Sequence, residues 1–152
     1  MNNVKIDTVI LDKLITHAPE MIDKAIRATA FDVEAKAKSL AAVDTGAMRA
    51  SIFTSTHEES GFDAAGERVI GRNAMVEPVD PTPGKPPLMH AYVAPGVEYA
   101  AAVEFGRSRS VSVMGETIDV NIAAQPFLTP AVEKAGESFE KYIKKIFGDL
   151  KW

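Results

Sequence analysis

Apolar residues recur at steps of three and four from Glu20 to Leu40, at Ile22, Ile26, Ala30, Val33, Ala37 and Leu40. Lys24, Arg27, Asp32, Glu34, Lys36 and Lys38 fill most of the other positions. That period predicts an amphipathic helix with one buried stripe. A second long helix is predicted from Pro130 to Leu150, with Val132, Ala135, Phe139, Ile143, Ile146 and Leu150 as its stripe and Tyr142 and Phe147 beside it. Each stripe needs a partner surface, so both helices are expected on the same face of one antiparallel sheet, with Ile26 and Phe139 in the core between. Ahead of them, Met1 to Ala18 reads as a short helix or arm, and Pro19 suits the first turn of the helix that follows.

The sheet must come from the middle of the chain. Ser51 to Thr56 is rich in β-branched residues and reads as a strand. Glu58 to Glu67 reads as a turn or mobile loop, after which Arg68 to Gly71 pairs back as a second strand. Asn73 to Pro87 holds Pro78, Pro81, Pro83, Pro86 and Pro87, a density that no helix or central strand survives. Met89 to Gly96 is a third strand, and Tyr99 to Phe105 a short helix that Gly106 ends. Val111 to Val113 and Thr117 to Val120 flank a turn at Gly115 and predict a hairpin. The extended loop Asn73 to Pro87 and the segment Gly106 to Asn121 are expected to be mobile in the free protein and to order against neighbouring subunits. No repeat or linker interrupts the pattern, so residues 1–152 are expected to form one α+β domain.

Composition sharpens this. The hydrophobic fraction is 46%, but aromatics are only 7%, which makes a thin core for 152 residues and favours burial completed against other copies. Cysteine is absent, which removes disulfides, thiolate nucleophiles and cysteine-based zinc sites together. Lys plus Arg number 17 against 21 Asp plus Glu, a net charge of −4. A dedicated DNA-binding surface would show a basic excess. No run approaches the roughly 20 apolar residues that span a bilayer, and the N-terminus has no signal-peptide pattern.

Candidate chemistry is sparse. Asp44, Thr45 and Arg49 could suggest a site, but Asp or Thr before Gly46 is what a helix cap looks like. The triplet Asp44-Thr45-Gly46 occurs once, without the second copy an aspartic protease needs. His17, His57 and His90 lie on different segments, away from any metal-ligand spacing. Ser108 and Ser110 alternate with Arg107 and Arg109 in a polar run, outside any nucleophile elbow. No catalytic, cofactor-binding or metal site is assigned, and no cofactor is implied. Phe105 and Phe127, each beside a backbone breaker, are expected as core anchors close to a subunit interface.

Three runs stand out in order: Val43 to Ile52 (VDTGAMRASI), Tyr99 to Gly106 (YAAAVEFG) and Ala123 to Ala135 (AAQPFLTPAVEKA). With the flanking helices they resemble the siphophage neck and tail-completion family, small head–tail joining or minor tail proteins. The residues that carry the resemblance are Asp44, Thr45, Gly46, Arg49, Ser51 and Ile52, then Tyr99, Ala100, Val103, Glu104, Phe105 and Gly106, then Gln125, Pro126, Phe127, Pro130 and Ala131. Arg107 stands where a Thr commonly follows the EFG run, and Ala42 where a Pro often precedes VDTG. The resemblance implies an α+β domain, an antiparallel sheet carrying two long helices. It also implies a virion structural protein that forms a ring, commonly a hexamer, between a head connector or stopper and a tail-tube or tail-terminator protein. DNA would pass through the lumen unbound, no membrane would be involved, and the host cytoplasm would be the place of assembly. Glu104, Phe105 and Gly106 are expected where a short helix meets the sheet near a subunit contact. Two other readings compete. One is a small binding module that presents the proline-rich loop to a host or assembly partner. The other, weaker, is a hydrolase using Asp44, His57 or His90, and Glu104.

Overall fold

A computed structural model describes residues 8–44, 46–72 and 76–148. Helix α1 runs unbroken from Thr8 to Leu40, about 50 Å at 1.5 Å per residue. Pro19 lies inside it, so the expected break between an arm and a helix does not occur. Val9, Leu11 and Ile15 in its first turns are exposed, whereas Ala25, Ala30, Val33 and Ala37 are buried. The predicted stripe is therefore buried at Ala30, Val33 and Ala37, half-buried at Ile22 and Ile26, and exposed at Leu40.

After α1 the chain turns at Gly46, whose φ of 80° belongs to the left-handed region that glycine reaches without a Cβ penalty. The short helix α2 (Ala47–Ser51) leads straight into β1 (Ile52–Thr56). All five residues of β1 are buried. The strand has α1 on one side, and on the other α3 (Phe62–Arg72), whose Phe62 ring meets Phe53 edge-on at 5.6 Å. Strand β2 (Ala91–Pro95) pairs antiparallel with β1, from Ile52 opposite Pro95 to Thr56 opposite Ala91.

Helix α3 corrects the expected loop at Glu58 to Glu67 and strand at Arg68 to Gly71. Ala65 and Val69, one helical turn apart, both reach the core, and that burial overrides the β-preference of Val69 and Ile70. The partner of β1 is thus β2, brought in across the proline-rich loop.

That loop is pinned. The Val79 amide donates to Gly96 O at 2.9 Å, Lys85 Nζ to Glu58 O at 2.9 Å and the Met89 amide to Asp23 Oδ1 at 2.9 Å. Pro86 is buried. The described part of the loop is irregular, as its prolines require, yet it is tied to the residues just past β1 and β2, and the chain just beyond it is tied to α1 at Met89. Residues 73–75 lie outside the described set.

Helix α4 (Ala100–Phe105) ends at Gly106, as expected. Strands β3 (Arg107–Val113) and β4 (Glu116–Ile122) form the predicted hairpin, longer than its sequence signal. It is a sheet of its own, separate from β1–β2. The predicted C-terminal helix is two: α5 (Thr129–Glu133) and α6 (Ala135–Gly148), divided at Lys134. Residues 149–150 of the expected helix lie outside the described set.

The chain is α+β with antiparallel strands, and its layering differs from expectation in two further ways. There are two small sheets instead of one, and α6 packs along α1 instead of directly on a sheet. The Tyr142 hydroxyl donates to Asp32 Oδ2 at 3.0 Å across that helix pair. Ile26 and Phe139 are only half-buried and line an open groove between α1, β2 and α5–α6.

Phe53 is fully buried on the α3 side of β1 against Phe62, and Phe53→Ala should lower unfolding free energy by about 3–5 kcal/mol in a urea titration. A loss within experimental error would contradict this packing.

Candidate functional site around Glu104

The three motif runs meet. The first gives Ala47, Met48 and Ile52 to the core, the second Ala100, and the third Phe127 and Ala131. Val33, Ala37 and Ala41 of α1 close the same cluster.

One side chain fastens the second run to the third. The Glu104 carboxylate, 6% exposed, accepts the backbone amides of Phe127 and Leu128 on Oε2 at 2.8 and 2.9 Å, and that of Thr129 on Oε1 at 2.8 Å. These amides open α5, which has no cap from its own side chains and no acid in its first turn. Glu104 is therefore an N-cap supplied from another helix, and its negative charge faces the positive end of the short helix. Beside it, the Gln125 amide donates to Val103 O at 2.7 Å. Burial pushes the Glu104 carboxyl up, but the Thr129 hydroxyl and the three amides together hold it below its ordinary value.

Gly106 follows with φ 74°, and a Cβ there would stand 2.9 Å from Ile122 O and 3.0 Å from Ala124 N. Only glycine lets the end of α4 approach the end of β4 so closely.

The first run meets the second in a recess of about 230 Å³ lined by Ala42, Asp44, Gly46, Ala47, Met48, Tyr99 and Val103. Burial raises the Tyr99 hydroxyl pKa and the nearby Asp44 carboxylate adds to the rise, against a hydrogen bond from the Met48 backbone. Asp44 is exposed, and α2 begins at Gly46 with no side-chain cap there. Thr45 lies outside the described residues. Arg49 is exposed on α2 and has no ion pair among them.

Phe105 and Phe127 part company. Phe127 is a core anchor at 1% exposure, whereas Phe105 is 76% exposed, against expectation. Ala100 and Glu104, four residues apart, take the inward face of α4, and the next residue must turn outward. Gln125, Pro126 and Arg107 are exposed beside it.

The residues of the hydrolase reading do not converge. Glu104 is committed to amides and Asp44 lies by Tyr99. His90 Nδ1 is 3.0 Å from Leu88 O, and His57 Nδ1 lies 3.3 Å from the buried Asp23 Oδ1. No hydrogen bond or ion pair joins any two of the four. The Asp23–His57 pair is one that sequence reasoning missed. Its partners are 34 positions apart in number, on α1 and just past β1, and no local spacing marks it. Among the described residues no group of three or more His, Asp or Glu is placed to hold a metal ion.

The family model described as bacteriophage HK97-gp10, putative tail-component, matches residues 10–106. The chain belongs to this HK97-gp10-like family. No curated protein and no solved structure matches it. The tail-component match runs from the start of α1 through α4 and ends on Gly106, so it contains the first two motif runs and the buried Glu104. As a phage tail-component family member the chain is tied to the virion. No helix among the described residues is long and apolar enough to cross a membrane.

Removing the Glu104 carboxylate leaves three inward-facing amides unpaired, so Glu104→Ala should cost about 2–4 kcal/mol of stability. Because the folded carboxyl titrates below its ordinary value of 4.5, the folded protein binds fewer protons in that window. Its contribution is present above that value and is lost as pH falls through the lowered one. Acid unfolding of the parent should show this loss, and Glu104→Gln should flatten it; identical acid profiles would refute the assignment. Gly106→Ala should destabilise by about 1–3 kcal/mol through its forced backbone and close contact, read from the same unfolding curves.

Proposed function

We propose that this chain is a neck or tail-completion protein that acts as one domain over residues 1–152. Copies form a ring, six in number, that joins the head connector or stopper to the tail-tube or tail-terminator protein. The match to the tail-component family through the EFG run carries this reading. The geometry supports it from a second side, because the motif residues with chemical potential are spent on architecture. Glu104 caps α5, Gly46 and Gly106 turn the backbone, and Phe127 fills the core. The protein catalyses nothing.

The exposed members of the motif set are the contact candidates. Arg49, Phe105, Arg107, Gln125 and Pro126 surround the bracketed core, with Asp44 and Tyr99 at the neighbouring recess. A mildly acidic lumen leaves DNA free to pass, since like charge keeps phosphate from sticking. The binder reading is the weaker one: the proline-rich loop is exposed at Pro81, Pro83 and Pro87, but its backbone is tied to the body at Val79 and Lys85.

Deletion of the gene should yield filled heads and separate tails that fail to join, or tails with faulty ends, under the electron microscope. Normal infectious particles from the deletion would overturn the proposal.

A further inference from the structure

The β3–β4 hairpin stands apart from the body. Its strands pair over their full length, about 23 Å at the usual strand rise, and neither packs broadly on another described element. Its register sorts the side chains by face. Ser108, Ser110 and Ser112 oppose Asn121, Asp119 and Thr117 on one side, where Ser108 bonds to Asn121 and Ser110 to Asp119. The other side carries Val111, Val113, Ile118, Val120 and Ile122, with Arg107 and Arg109 at its base and Glu116 at its tip. Val113, Ile118, Val120 and Ile122 are each close to half exposed, and Met114 at the turn is fully so. An isolated two-stranded hairpin is marginal in water, and an uncovered row of Val and Ile marks a docking face.

The same chain holds a recess of matching chemistry. The groove between α1, β2 and α5–α6 encloses about 420 Å³ and is lined by Ile26, Ala30, Val93, Val132, Ala135 and Phe139 among others. Its one polar side chain, Thr29, spends its hydroxyl on Ala25 O at 2.8 Å. Glu133 directly follows the groove-lining Val132 in sequence and is exposed. Among the described residues Glu133 has no ion pair, nor have Arg107 and Arg109.

We infer that the apolar face of the β3–β4 hairpin docks into the α1/β2/α5–α6 groove of a second copy of this chain, with Arg107 and Arg109 towards the exposed, unpaired Glu133 beside Val132. The contact is heterologous: the donor surface and the acceptor surface are different parts of one chain. Repetition of such a contact closes a ring when the rotation permits. The inference rests on the ring reading above and names the contact that builds it.

The absence of cysteine gives a clean test. Ile118→Cys and Val132→Cys, both at exposed positions, are purified separately, mixed at millimolar concentration and oxidised. A disulfide-linked dimer that appears in the mixture and in neither variant alone is expected, and the double variant should give a ladder of higher species. Dimers from Ile118→Cys alone would mean that hairpins pair with each other and would overturn the proposal. So would an absence of cross-linking in the mixture, or a double variant that links only within one chain. A failed cross-link beside a deletion phenotype of unjoined heads and tails would sink this contact and leave the neck role standing.

Discussion

A single buried carboxylate sets the geometry of this molecule. Glu104 reaches from the end of α4 to three amides that begin α5, some two dozen positions later in the chain. A charge so enclosed survives only where hydrogen bonds replace its lost water, and the amides of a helix start are suited to that task. The bond set closes a loop. The hairpin β3–β4 is the excursion between the two fastened ends, and Gly106 allows the chain to leave and return within a few ångströms. With α5 placed, Phe127 and Ala131 enter the core beside Ala47, Met48 and Ala100, and α6 is delivered onto α1. Glu104, Gly106 and Phe127 are in this sense devices of closure, each serving one joint.

Where an element carried its own signal, the sequence was readable. The helix from Glu20 to Leu40, with its stripe buried at Ala30, Val33 and Ala37, the stop at Gly106 and the turn at Gly115 all formed as predicted. The failures have physical causes. Ala64, Ala65 and Gly66 hide the period of α3, and only the burial of Ala65 and Val69 against α2 and β1 makes it a helix. Pro19 has no amide to donate and so reads as the start of a helix, yet α1 runs through it. Phe105 was expected inside because its neighbours are backbone breakers, but its direction was fixed by Ala100 and Glu104 pointing inward.

The bracket itself was half legible. Glu104 belonged to a recognisable run, and the run was assigned to a joint near the sheet. Its actual partners were not foreseeable from spacing, since capping is normally read within a few residues of a helix start. A subtler signal was present. The stretch before Pro130 lacks any Asp, Asn or Ser to cap α5, and Thr129 lies too late to serve alone. A helix start without a local cap calls for a remote acceptor, and Glu104 is the one acid in the preceding motif run.

The distribution of apolar size completes the picture. The core cluster leans on small residues, with Ala37, Ala41, Ala47, Ala100 and Ala131 among its members. Alanine permits close approach of helices and strand but buries little area, and burial scales with area at about 25 cal/mol per Å². Large side chains sit elsewhere: Leu11, Ile15, Phe31, Phe105, Met114, Ile118 and Val132 are all exposed. A chain that folded only for itself would gain by exchanging these positions. One that keeps a lean, hydrogen-bonded core and holds its bulk outward is stabilised further by whatever covers that bulk. Such an arrangement couples the completion of the fold to the completion of an assembly.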